Sequence, residues 1–243
     1  PLLGWSSWWI MGALIVSVVC LVSFILFELH LAHPLIRFSL FSNVRLTFIM
    51  IILASMQATF MTITFFTIFV QMNWHFSAVS AGFLGVITGF SMTFFATIHG
   101  KVAARISESR TFFLGQLFLF IGLCFMSAAI YLGFVWLAIG LFLLGLGIPT
   151  IAASAFTLGL EMVPKREHAI VSSMIYAARY IGGAVAFALQ GSIVNTDRAH
   201  FNQYHRINSH YFFIAMIVIT VFGGIAALMS TLFLKPARAA VSG

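Results

Sequence analysis

The sequence predicts an all-α, polytopic transmembrane helical bundle with seven spans. Three observations carry that expectation. Hydrophobic residues make up 62% of the 243 and charged residues 7%, and no water-soluble exterior manages with so little charge. The apolar residues gather into seven runs, each meeting the requirement of about 20 residues for a helix crossing a hydrocarbon core of about 30 Å. The cations sit in the short gaps between those runs, with a single exception, Arg179.

The first run extends from Trp8 to Phe27, the second from Leu46 to Val70 and the third from Ala78 to Ile98. The third carries Gly82, Gly85 and Gly89, the last pair with GxxxG spacing, which marks close helix approach. The fourth covers Phe112 to Leu132. The fifth, Phe134 to Leu160, is interrupted by Gly140, Gly145, Gly147 and then Pro149. The sixth runs from Ala169 to Val194, its second half crowded with Gly182, Gly183 and further small residues, and the seventh from Tyr211 to Leu234. These small residues and Pro149 read either as ordinary close packing or as bends and sliding surfaces for a conformational cycle. Strands of a barrel would be about half as long and alternate in polarity. Helices satisfy their own backbone groups, which lipid demands.

Charge sets the orientation. With the C-terminus inside and the spans alternating, inner segments carry Arg37, Arg45, Lys101, Arg105, Arg110, Lys165, Arg166, Lys235 and Arg238. Outer segments carry only Arg198 and Arg206, a strong positive-inside bias. Trp5, Trp8, Trp9, Trp74 and Trp136 all fall on the outer side as an interfacial belt. The expected location is therefore the plasma or inner membrane, multi-pass, with a cytoplasmic C-terminus. The net charge of +7 forms no patch, so the basic residues point to lipid headgroups and not to nucleic acid. Pro1 follows no basic n-region, which reads as the interior of a longer protein.

Arg179 lies ten residues into its run, about 15 Å along a helix and close to mid-depth. A cation there faces protein or a wet cavity, where pathways lie. No acid of this chain lies at similar depth, so a carboxylate partner would come from another segment or chain. Tyr176 and Tyr180 flank it. Gln57 in the second run, and Thr150, Ser154 and Thr157 after Pro149, are the other candidates for a substrate and coupling pathway. The last three recur at four and three residues and so share a helical face, although many such hydroxyls bond their own backbone. Glu161 and Lys165 have the spacing of a surface ion pair. His200, His205 and His210, five apart, share no helix face, and no metal or cofactor site is expected. No nucleophile elbow, Walker loop or buried acid pair occurs, so the chain is not expected to be an enzyme.

Several fragments resemble the C-terminal half of a major facilitator transporter, nearest to the fourteen-helix drug:proton antiporters. Gly4-Trp5, Phe24, Glu28, Pro34-Leu35 and Leu40-Phe41 resemble that family's last linker helix and the loop after it. Gly100-Lys101-Val102-Ala103-Ala104-Arg105, with Arg110, resembles its Gly-x-x-x-Asp-Arg inner-loop motif. Here Ala104 replaces the Asp and Ser107 replaces the Gly that follows. Arg179-Tyr180-Ile181-Gly182-Gly183-Ala184 resembles its Arg-x-x-Gly-Gly-Ala run. The resemblance implies a linker helix and inner loop over residues 1–43 and a six-helix bundle of two inverted three-helix repeats over 44–243. It implies proton-driven export of amphipathic small molecules by alternating access, with an N-terminal six-helix half or another subunit as partner. The alternative is a non-transporting membrane subunit or truncated remnant that needs a partner half.

Overall fold

The structure, a computed structural model, describes residues 8–30, 38–194 and 207–233. They form α1 (Trp8–His30), α2 (Val44–Asn73), α3 (Ala78–Ile106), α4 (Glu108–Leu132), α5 (Phe134–Glu161), α6 (His168–Val194) and α7 (Ser209–Phe233). Short 3-10 turns cover Phe38–Ser42 and Lys165–Glu167, and no strand occurs among the described residues. Among the described residues, seven helices are long and apolar enough to cross a membrane. At 1.5 Å per residue they reach about 35–45 Å, more than the hydrocarbon thickness of about 30 Å. The chain is a multi-pass membrane protein. Its α1 belongs to a first unit, Pro1–Ser39, and the other six helices to a second, Leu40–Gly243. Trp5, Arg37, Arg198, His200, His205, Arg206, Leu234, Lys235 and Arg238 lie outside the described residues.

The helix ends differ from the apolar runs in an instructive way. Hydropathy stops at Ile98, but α3 continues to Ile106 and α4 already begins at Glu108. Charged side chains end an apolar run without disturbing backbone hydrogen bonds, so the helix runs on. Gly100 and Arg105 therefore lie on the last turns of α3 and Arg110 on the first turn of α4, not in a loop. What ends α3 is Ser107, the one residue between the two helices, with φ 82° and ψ 152°. A left-handed φ reverses the chain at a single residue, and Gly133, φ 93°, does the same between α4 and α5. At the opposite end, Ser77 caps α3 by accepting from Ser80 N at 3.1 Å. Glu161 ends α5 and Pro164 follows the turn, so Glu161 and Lys165 do not share a helix and form no ion pair. Arg166 instead approaches Glu167 at 3.9 Å.

Within the second unit, matched contacts give the helix directions. Gly182 meets Ala54, Gly183 meets Gln57, and Phe187 packs on Phe65, so α6 runs parallel to α2. Gly145 meets Ser91 and the Thr88 carbonyl, and His99 meets Ser154, so α3 runs parallel to α5. α4 and α5 are antiparallel: Gly115 faces Thr150 and Ile151, and Gly122 faces Gly140. α4 and α7 are antiparallel too, with Ser127 against Thr220 and Tyr131 against Phe213. Exchanging α2, α3 and α4 for α5, α6 and α7 carries the α2–α6 pair onto the α5–α3 pair.

The core lies along α2 and α5. Leu46, Ile49, Ile52, Leu53 and Met56 of α2 are fully enclosed, as are Leu137, Leu141, Leu144 and Ile151 of α5. Phe69 stacks on Phe212 of α7 at 4.3 Å, and Phe66 meets the same ring edge-on at 5.1 Å. Asn73 ties the far ends of α2 and α7 together by donating to the Ile207 carbonyl at 2.8 Å and accepting from its N–H at 3.0 Å. By contrast α3 and α6 leave wide faces uncovered, including Phe83, Phe90 and Phe94 on α3 and Val185 and Phe187 on α6.

The close approaches are only partly those read from spacing. Gly182 and Gly183 are at such a seam, since a Cβ on Gly182 would lie 2.5 Å from Ala54 Cα and one on Gly183 2.7 Å from Gln57 Cγ. Gly85 and Gly89 are not: a Cβ on either meets nothing within 4 Å. GxxxG spacing puts two glycines on one face but does not choose which face is packed, and α3 uses Thr88 and Ser91 instead. Nor does Pro149 interrupt its helix, for α5 is continuous from Phe134 to Glu161. Proline deletes one donor from the ladder, and inside a packed bundle the neighbouring helices keep the segment in place.

Candidate pathway site

Arg179 is the twelfth of the 27 residues of α6 and sits half-buried on its seam with α2. Gly182 and Gly183, one turn on, let the two backbones approach closely, and this brings the guanidinium within reach of α2. Its Nε donates to Gln57 Oε1 at 2.5 Å. Gln57 is 3% exposed, so the acceptor is enclosed. Among the described residues no carboxylate pairs with Arg179. Placing an arginine at mid-helix costs roughly 2.5–3.5 kcal/mol on insertion scales. A hydrogen bond to a charged group returns about 1.5–3 kcal/mol, so the Gln57 amide offsets much of that cost without neutralising the charge. A positive charge thus persists at mid-helix, with the donors of its two Nη groups left for a further acceptor.

Aromatic rings frame it. The Arg179 guanidinium carbon lies 5.9 Å from the Tyr180 ring centroid, within cation–π range. Tyr180 is 62% exposed and Tyr176 47% exposed, and Tyr176 packs on Phe156 of α5 at 4.9 Å. Farther along the same seam, Thr62 and Gln190 meet side chain to side chain at 3.2 Å, both enclosed. Gln190 Nε2 has no hydrogen-bond partner there. Gln190 was not legible as a site residue, because a lone amide near a helix end carries no periodic signal.

The structure separates the α5 candidates from this group. Thr150 is fully buried, donates to its own Leu146 carbonyl at 2.6 Å and packs against Gly115 of α4. Thr157 donates to Ala153 O at 3.2 Å. Ser154, also fully buried, turns to α3 and α4, where it meets His99 and Glu108. Three hydroxyls on one side of a helix thus reach different neighbours. Arg105 and Arg110 are exposed at the Ser107 end. Sequence reasoning missed both His99 and Glu108 as site residues. The signal available was a histidine and a glutamate bracketing the end of an apolar run, with a serine far downstream to complete them.

Residues 47–243 match the profile of the Major Facilitator Superfamily. The chain is similar to YcnB, described as an uncharacterized MFS-type transporter of Bacillus subtilis (strain 168), at 24% identity over 246 residues. That alignment covers 98% of this chain and 51% of YcnB. It is also similar to the multidrug transporter protein MdtP of the same organism, at 28% identity over 199 residues, covering 79% of this chain and 36% of MdtP. The chain therefore spans about half the length, or less, of these relatives.

Proposed function

The chain belongs to the Major Facilitator Superfamily, and from that premise we propose that it forms the C-terminal half of a proton-driven exporter of amphipathic small molecules. In this reading two six-helix halves rock about a midplane cavity, open alternately to either side. The observation that carries it is Arg179, a cation held at mid-helix by a neutral amide, with no carboxylate paired to it among the described residues. That charge suits a carboxylate on the opposing half or an acidic group passing through the cavity. Tyr176 and Tyr180, exposed beside it, suit stacking against a flat, apolar substrate. The uncovered faces of α3 and α6 supply the surface that an N-terminal half would cover. Their exposed Gly85 and Gly89 would then let its backbone come close. The name of MdtP supports a drug-like substrate class, and the apolar, Phe-rich helices accord with it.

Cells expressing the complete protein should accumulate several-fold less of a lipophilic cationic dye than cells without it, and a protonophore should erase the difference. Replacing Arg179 with Ala should abolish the difference while leaving the amount of membrane-inserted protein unchanged. Equal dye accumulation with and without the protein would overturn the exporter reading. Undiminished export by the Arg179→Ala protein would remove that side chain from the pathway.

A further inference from the structure

At the Ser107 end of the bundle, away from Arg179, a polar chain joins three helices, enclosed at His99 and Ser154 and partly open to the outside at Glu108, whose side chain is 26% exposed. His99 of α3 is 8% exposed, and Ser154 of α5 is fully enclosed. Ser154 Oγ donates to Glu108 Oε2, on the first residue of α4, at 2.7 Å. His99 Nε2 lies 3.1 Å from Ser154 Oγ and 4.0 Å from Glu108 Oε2. The serine hydroxyl has a single proton. With that proton in the carboxylate bond, Oγ is left as an acceptor, and the count of protons assigns Nε2 as the donor.

One further proton fits this chain in two ways. It sits on the imidazole, beside the Glu108 carboxylate. Alternatively Nε2 gives its proton to Oγ while Oγ gives its own to Oε2, which leaves a neutral imidazole and a neutral carboxyl group. The two arrangements contain the same atoms and the same net charge, and both keep every hydrogen bond with its direction reversed. Without the extra proton the cluster carries one negative charge; with it the charge is zero, which suits the enclosed His99 and Ser154 end of the chain. We propose that His99, Ser154 and Glu108 form a single proton-binding site, in which one proton is shared through the Ser154 hydroxyl where α3, α4 and α5 meet.

Among the described residues, few other ionisable groups compete for it. On α3 itself Lys101 and Arg105 are exposed. α2 contributes Arg45, exposed in its first turn, and α5 contributes Glu161, exposed at its end. α4 contributes Arg110, which is exposed, and Cys124 and Tyr131, which lie about 24 Å or more along the helix from Glu108. Among the described residues none of these meets His99, and Glu108 does.

The test uses the full chain in lipid nanodiscs, labelled with 15N-histidine and 13C-carboxyl glutamate. Among the eight histidines, His99 is identified by the signal lost in the His99→Gln protein. A shared site requires the His99 ring nitrogens and the Glu108 carboxyl carbon to respond in the same pH step, because interacting groups titrate as a pair. Glu108→Gln should then displace the His99 response from that step. Separate pH steps for the two groups in the unaltered protein would overturn the proposal, as would a His99 titration indifferent to Glu108→Gln. The first measurement is read in the unaltered protein, and the His99→Gln protein serves only to assign the signal. No transported substrate is involved, so its failure leaves the exporter reading untouched, and the converse holds.

Discussion

Ser107 and Gly133 occupy equivalent corners, each the lone residue between two helices, with φ 82° and 93°. Glycine adopts such a backbone freely; a serine with φ 82° and ψ 152° is in a region that costs on the order of 1–3 kcal/mol. The departure noticed in the sequence, Ser107 where the resembled motif has Gly, thus has a measurable meaning. Ser107→Gly should stabilise the protein by about 1 kcal/mol once the added freedom of the unfolded chain is deducted. Thermal unfolding in detergent would show it, and an unchanged or lowered midpoint would mean that the corner is unstrained. At this scale Arg179 was legible because one charge in an apolar run has no silent explanation. Its acceptor, Gln57, was visible as an amide within a span. His99, Ser154 and Glu108 were not legible as a group, because their contacts bridge 46 and 55 residues, and no local pattern encodes that.

The helices themselves could be read almost in full, because crossing lipid requires long apolar runs. Their faces could not. Gly145 shows why. A Cβ there would lie 2.6 Å from the Thr88 carbonyl oxygen and closer still to Ser91 Oγ. The first of these is backbone and cannot rotate aside. Gly145→Val should therefore disrupt the α3–α5 pairing, at a cost above the 1–3 kcal/mol typical of overpacking, and lower the yield of folded protein. Gly85→Ala and Gly89→Ala, with open space around them, should leave yield unchanged when the chain is purified alone. Size-exclusion profiles of the three variants would check this; a monodisperse Gly145→Val protein at normal yield would contradict the tight seam. In sequence, all three are glycines in apolar helices. Only the packing that selects a face distinguishes them.

For the molecule as a whole, we propose from the charge bias that the Ser107 end of the bundle faces inward and the Trp74 end outward. The aromatic contacts at the second end are consistent with an interface: Phe76 touches Trp74 at 6.0 Å and Phe134 at 5.9 Å. In a protein with Cys20 and Cys124 replaced by Ser, Lys101→Cys should resist a membrane-impermeant maleimide applied to intact cells, and Val135→Cys should react. Both residues are exposed on the bundle, so labelling of both from outside would refute the orientation. The family was within reach of the sequence because several weak motifs occur in the right order. The pairing of the helices was an implication of that family and not of any residue.

That pairing bears on how the protein is made. Each of the two parallel seams joins a helix from the first half of the bundle to one from the second, so neither half is a self-contained piece. While α2 is entering the bilayer its partner α6 has not been synthesised, and Gln57 must wait for Arg179, 122 residues behind it. The polar atoms of the early helices therefore spend the interval in the keeping of water, lipid headgroups or the insertion machinery. Final closure is possible only once nearly the whole chain has emerged from the ribosome.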